Sequence, residues 1–369
     1  MRKLLIVLSV VLLVGALAGP AAGADTFGAA ASTPDCEFPV TVEDATGTEI
    51  TLNESPERVV TTSPSAAQVM WEIGAEERVV GLSEFALYLD GADERTLVLE
   101  GQEGLNLEVV VDLEPDLVLA PNTTDREAIS QMRDAGLTVY HFGEEESIED
   151  IVDVTERIGM LTGECAGAAE TIKWMNEELS IVADAIEGEE RPGVMYLFFD
   201  FTAGANTFIH EILESAGAEN LAATAGIEGY EAVSDEIVVA EDPEWIILNS
   251  DDPALPESDA LDETTAAKED QFVEVQIEHL NQPAPRTVEA IITITEALHP
   301  EAYASAVEAA EAGDADQADE SDDQGDADDS PVETTGDAGD DDADALPGFG
   351  MIVGLFGVGV AGYAIRRQM

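Results

Sequence analysis

The sequence predicts an α/β protein of two lobes, each a mainly parallel sheet with flanking helices, joined by one long rigid helix. Three observations predict it. A motif recurs without a gap at an offset of 128 residues: Asn106 to Asn122 aligns with Ser234 to Ser250, which places Glu108 on Glu236 and Pro115 on Pro243. Strand, turn, helix, glycine and strand follow one another in both halves, the sequence form of a parallel βαβ unit. Between the halves lies a stretch with almost no proline and with helical apolar spacing.

The elements follow in chain order. Arg58 to Thr62 reads as a strand running into Ser63-Pro64-Ser65. Helix Ala66 to Ile73 comes next, closed by Gly74 before strand Arg78 to Leu82. Each copy of the repeat reads as a short helix, a proline turn and a buried strand, because each ends in a β-rich apolar run. Arg126 to Ala135 is a helix closed by Gly136, followed by strand Leu137 to Phe142. From Ser147, apolar residues recur at Ile148, Ile151, Val152, Ile158, Met160 and Leu161. After Thr162-Gly163 they recur at Ala168, Ile172, Met175, Leu179, Val182 and Ile186, a longer helix that would act as a stiff strut. Pro192-Gly193 ends it. Gly193 to Phe199 is a strand, Thr202 to Ala205 a turn, and Thr207 to Ser215 a helix ending at Gly217.

Both chain ends carry other signals. Arg2 and Lys3, the apolar run Leu4 to Ala18 and the small residues to Ala24 have the order of a secretory signal. A permanent anchor helix is the rival, but the run is short of the ~20 residues a span needs. At the other end, an apolar stretch to Ile365 is followed at once by Arg366 and Arg367, which favours the cytoplasm for that end. Residues 311–345 hold sixteen acids and no Lys or Arg, the composition of an extended, disordered spacer. Spacer, Pro347-Gly348-Phe349, apolar helix and basic pair together resemble the archaeal surface-sorting tail. That resemblance implies an archaeosortase-type processing enzyme and lipid attachment in place of the helix. The organisation expected is therefore a signal peptide at 1–24, an amino-terminal lobe at 25–146, a helical linker at 147–191, a carboxyl-terminal lobe at 192–310, the spacer at 311–345 and the sorting signal at 346–369.

Asp and Glu number 80 against 14 Lys and Arg, for a net charge of −66. Such a chain opposes nucleic acid, which needs basic patches for phosphate. The 45% hydrophobic content still supports a packed core. In molar salt the screening length falls to ~3 Å and the self-repulsion becomes tolerable, which points to a halophilic archaeon. Cys36 and Cys165 are the only cysteines. An exported chain favours one disulfide between them over two free thiols, and they are too few for structural zinc.

From Val40 to Pro300 the chain resembles the cobalamin and ferric-siderophore binding proteins of ABC importers. The resemblance rests on Arg58-Val-Val with Ser63-Pro64, Val79-Val80-Gly81, Asn106-Leu107-Glu108, Glu114-Pro115-Asp116, the segment from Thr202, Ala216-Gly217 with Asn220, Val233 to Glu236, and Arg286 to Pro300. It implies a ligand cleft between two lobes and an ABC permease and ATPase as partners, with the chain acting as a monomer on the outer face of the membrane. It also implies one docking glutamate per lobe, Glu108 and Glu236. Two acids on a very acidic surface would be the plain alternative; the repeat, found independently, favours docking.

Ligands of open α/β sheets bind beyond the carboxyl ends of strands. That rule selects Ser65, Phe85, Tyr88 and Asn122 in the first lobe and Phe201, Thr202 and Tyr230 in the second. Aromatics on both sides suit a large planar or macrocyclic ligand, although each is as readily a core residue. Phe199 reads as core because it still lies in the strand. Arg286 is either a contact to a ligand carboxylate or phosphate, or a structural residue at the amino end of the last helix or in an ion pair. Gln68 stands where the family often carries an acid. Cleft loops nearly devoid of basic residues favour a corrinoid such as cobalamin over anionic siderophores; siderophore or haem binding is the alternative. Metal capture and ligand sensing without transport are further rivals, but His141, His210, His279 and His299 show no ligand spacing. No phosphate loop, nucleophile elbow or Cys-His pair points to an enzyme, and neither catalytic residues nor a cofactor are expected.

Overall fold

The computed structural model describes residues 36–101 and 104–322. It divides into two units, Met1–Asp316 and Gln317–Met369, and both lobes belong to the first. In the second, described residues 317–322 are helical. The signal segment and the sorting tail with Pro347, Gly348 and Phe349 lie outside the described residues. Among the described residues no helix is long and apolar enough to cross a membrane.

A hairpin of β1 (Val40–Glu43) and β2 (Glu49–Leu52) opens the chain. Its buried and exposed residues alternate strictly, a period of two that packs one face on the first lobe. That lobe then places β3 (Val59–Thr61), α1 (Pro64–Glu72), β4 (Val79–Ser83), β5 (Thr96–Leu99), α2 (Leu107–Asp112), β6 (Leu117–Ala120), α3 (Arg126–Asp134) and β7 (Val139–His141). Its sheet is parallel in the order β5-β4-β3-β6-β7. Strands β3 and β6 are buried along their whole length, as a sheet covered on both faces requires.

Two helices follow, α4 (Ile148–Thr162) and α5 (Cys165–Ile186). A capping box between Ser147 and Asp150 starts α4, and Gly163 at φ +85° ends it. The long α5 is the strut. Ala168 near its start belongs to the core of the first lobe, and Val182 near its end to the core of the second. Gly167 lets α5 lie directly on the end of α1, where an added Cβ would sit 2.0 Å from the Ile73 carbonyl oxygen. The Cys36–Cys165 disulfide fastens the chain before β1 to the start of α5.

The second lobe runs β8 (Gly193–Leu197), β9 (Phe201–Ala203), α6 (Phe208–Ser215), β10 (Glu219–Asn220), α7 (Leu221–Thr224), β11 (Tyr230–Ala232), α8 (Asp235–Glu241), β12 (Trp245–Asn249), α9 (Asp259–Asp262), α10 (Thr265–Glu269), β13 (Phe272–Val275), α11 (Ile277–Leu280), α12 (Thr287–Leu298) and α13 (Pro300–Asp322). Its parallel sheet has the order β10-β8-β12-β13, and β9 with β11 forms a separate antiparallel ribbon. Helix α13 continues through 311–322, read from sequence as extended spacer. Gly313 and four Asp in this stretch are weak helix formers, but no proline interrupts it and it extends a helix already begun at Pro300.

The 128-residue repeat is real in three dimensions. Asn106 caps α2 by accepting from the Val109 N–H at 3.2 Å, and Ser234 caps α8 by accepting from the Ile237 N–H at 3.3 Å. Both helices are followed by an acid in the left-handed region, Glu114 at φ 45° and Asp242 at φ 43°. After each proline a carboxylate reaches back to the start of the central strand. Asp116 accepts from the Glu57 and Arg58 N–H groups at 2.9 Å, and Glu244 accepts from the Gly193 N–H at 3.0 Å. The repeat thus preserves a tether between neighbouring strands as well as an apolar pattern.

Candidate functional site

The loops beyond the carboxyl ends of the parallel strands hold most of the expected ligand residues. After β3, the Ser63 hydroxyl accepts from the Ala66 N–H at 3.2 Å and caps α1. It also lies 3.1 Å from the Ser65 hydroxyl, leaving Ser65 half-buried at the loop surface. After β4, Ser83 caps a short 3-10 turn and accepts from the Phe85 N–H. That turn pushes Phe85 into solvent with more than half its surface exposed, and Leu87 beside it is exposed as well. Asn122, after β6, is exposed.

The second lobe answers with its own aromatics. Strand β8 stops at Leu197, so Phe199 is not core: it stands at φ +52°, more than half exposed. Its N–H is held by the Asp252 carboxylate at 3.0 Å, which explains how a bulky residue is kept in that backbone region. Phe201 and Tyr230 lie on the β9–β11 ribbon, each more than half exposed. Thr202, expected to touch ligand, is turned inward by the alternation of the strand and is 1% exposed. Its hydroxyl has no hydrogen-bond partner among the described residues.

Two further candidates serve the joint between the lobes. The buried Gln68 on α1 donates to the Tyr88 hydroxyl at 2.8 Å and to the Glu278 carbonyl at 3.3 Å, and accepts from the Arg286 N–H at 2.8 Å. The Tyr88 hydroxyl donates in turn to the Gln282 side-chain oxygen at 2.9 Å. Burial pushes the Tyr88 phenol up to about 12, so it stays a neutral hydrogen-bonding group. Arg286 pairs with Glu72 at 2.7 Å, the structural of the two roles the sequence left open. The amide of Gln68 can donate and accept at once, which a carboxylate at that position could not do.

Glu145 was not anticipated. It borders a cavity of about 10 Å³ with Ser63, Ser65, Pro121 and Pro283, the space of a single water. Burial, aided by the nearby Asp150 charge, pushes its carboxyl up to about 7. Nothing in an acidic sequence distinguishes this glutamate from its many neighbours; only its surroundings do. Leu87 was not singled out from the sequence either, and Phe199 was read there as core.

A separate groove of about 940 Å³ is lined by residues of β1, α4 and α5, including Val40, Met160 and Ile172. None of the exposed aromatics lines it. Among the described residues no group of three His, Cys, Asp or Glu side chains could hold a metal ion. Glu108 and Glu236 are exposed on α2 and α8.

The family model described as periplasmic binding protein matches residues 59–277. A cobalamin-binding protein of Halobacterium salinarum is 44% identical over 277 residues, covering 72% of this chain and 75% of that relative. An uncharacterized ABC transporter substrate-binding lipoprotein of Bacillus subtilis is 26% identical over 278 residues, covering 72% and 87%. Among solved structures, the periplasmic vitamin B12 binding protein of Vibrio cholerae is similar with a TM-score of 0.58 at 21% identity, covering 66% of this chain and 96% of its own. A heme binding protein is similar with a TM-score of 0.63 at 18% identity, covering 72% and 92%. At those identities the likeness is one of fold.

Proposed function

The chain belongs to the periplasmic binding protein family, and on that premise we propose that it is the extracellular solute-binding component of an ABC importer, capturing cobalamin or a related corrinoid between its lobes. The observation that carries the ligand is the 44% identity to a cobalamin-binding protein over both lobes. The site supports it. Phe85, Leu87, Phe199, Phe201 and Tyr230 present apolar surface from both lobes, suited to the face of a macrocycle. The segments that carry them hold one basic residue, Arg95, whose guanidinium donates to the Glu76 carbonyl, and this scarcity of positive charge disfavours ligands of high negative charge.

The same reading assigns Glu108 and Glu236 to docking on the permease. It places the chain outside the membrane, delivered by the signal at 1–24 and held by the tail at 346–369. Pro347-Gly348-Phe349 would be read by the processing enzyme, and the acidic spacer would keep the lobes clear of the surface. The acidic composition suits molar salt. Deleting the chain from its host should abolish high-affinity cobalamin uptake, and the intact gene should restore it. Undiminished uptake in the deletion strain, with no second binding protein expressed, would remove the proposal.

A further inference from the structure

Seven large hydrophobic residues are exposed among the described residues. Three of them, Phe85, Leu87 and Phe199, lie in strand-end loops, and Phe201 and Tyr230 lie on the β9–β11 ribbon. The other two are Val111, 37% exposed, and Val239, 65% exposed. They lie 128 residues apart, the offset of the internal repeat, and occupy the same position on α2 and α8. Each stands three residues after the exposed glutamate of its helix, and residues at that spacing share one helix face. A lone exposed valine needs no explanation. Two at repeat-related positions, each beside a repeat-related acid, form a matched pair of patches. Valine is also a poor choice for an exposed helix position, where alanine, glutamate or lysine would stabilise more.

We propose that Val111 and Val239 are docking residues, each forming with Glu108 or Glu236 an acid–valine patch that seats on a partner presenting the same pocket twice. Neither α2 nor α8 carries a basic residue, so the positive charge in that contact comes from the partner. The partner is the membrane permease, a surface offering a basic side chain beside an apolar depression at two related places. This deepens the docking role proposed for the two glutamates and rests on it. In molar salt, charge attraction is screened within ~3 Å, whereas apolar burial is not weakened. The valines therefore supply the part of docking that survives high salt. The acids supply orientation.

The test uses the full-length, ligand-loaded protein and the purified permease–ATPase complex in nanodiscs, with affinity measured from about 0.3 M to about 3 M KCl. V111S/V239S should weaken docking roughly tenfold at every salt concentration, with cobalamin affinity and thermal unfolding unchanged. E108Q/E236Q should weaken docking most at low salt, the effect shrinking as salt rises. Native docking by V111S/V239S, while E108Q/E236Q is impaired, would overturn the valine role and leave the glutamates standing. Native docking by both double variants would overturn the docking surface itself.

Discussion

At the scale of single residues, the site depends on side chains held in solvent at the cost of their own burial. Phe201 and Tyr230 sit on a ribbon in which Thr202 and Ala203 are buried and Tyr230, Glu231 and Ala232 are all exposed, so alternation separates Phe201 from Thr202 while the open position of β11 exposes Tyr230. Phe201→Ala and Tyr230→Ala should each lower corrinoid affinity about tenfold, measured by calorimetry, consistent with loss of about 1–2 kcal/mol of ring contact. Glu145 gives a second expectation. Its carboxyl is raised from 4.5 to about 7, so between those values the folded chain holds a proton that the unfolded chain has released. Stability is therefore unaffected by this group below about 4.5 and falls as pH rises toward 7. Glu145→Gln should remove a penalty on the order of 3 kcal/mol at pH 8 and leave stability at pH 4 unchanged, as read from denaturation midpoints. An equal pH slope in the variant would count against this assignment.

At the scale of elements, the joint between the lobes is rigid because α5 is packed at both ends and Gln68 bridges α1 to the loop before α12. Gly167→Ala should destabilise by about 2–3 kcal/mol, since its Cβ would meet the backbone of Ile73 and neither helix can move without opening a core. Unchanged thermal unfolding would show that the contact relaxes freely. The βαβ units, the strut and its glycine stops were legible in sequence, since each is a local pattern of apolar spacing closed by a turn residue. The β9–β11 ribbon was not. Its strands are three residues each and pair Phe201–Ala203 with Tyr230–Ala232 across a long intervening segment. Arg286 escaped for the same reason: its partner Glu72 lies 214 residues away in sequence. Phe85 lies in a loop after a parallel strand, as the topology rule expects, whereas Phe201 and Tyr230 lie on an antiparallel ribbon, and which aromatic faces solvent depends on register.

At the scale of the whole molecule, 80 acids against 14 bases set up a strong self-repulsion that salt would screen. Chemical stability of the mature chain should rise steadily from about 0.1 M to about 3 M KCl as screening shortens the reach of self-repulsion. A flat profile would sever the link between composition and environment. The repeat organises the rest: two lobes of one plan, each with loops beyond its strand ends and a helix that presents a glutamate and a valine. On the proposed function, the loops of the two lobes capture a corrinoid. The most direct test is calorimetric titration of the folded mature chain in molar salt with cobalamin, cobinamide, haem and ferric siderophores. Saturable binding of one corrinoid per chain at or below ~1 μM, the range of specific capture, is expected. Haem or siderophore binding of that strength without corrinoid binding, or no binding by a demonstrably folded chain, would contradict it.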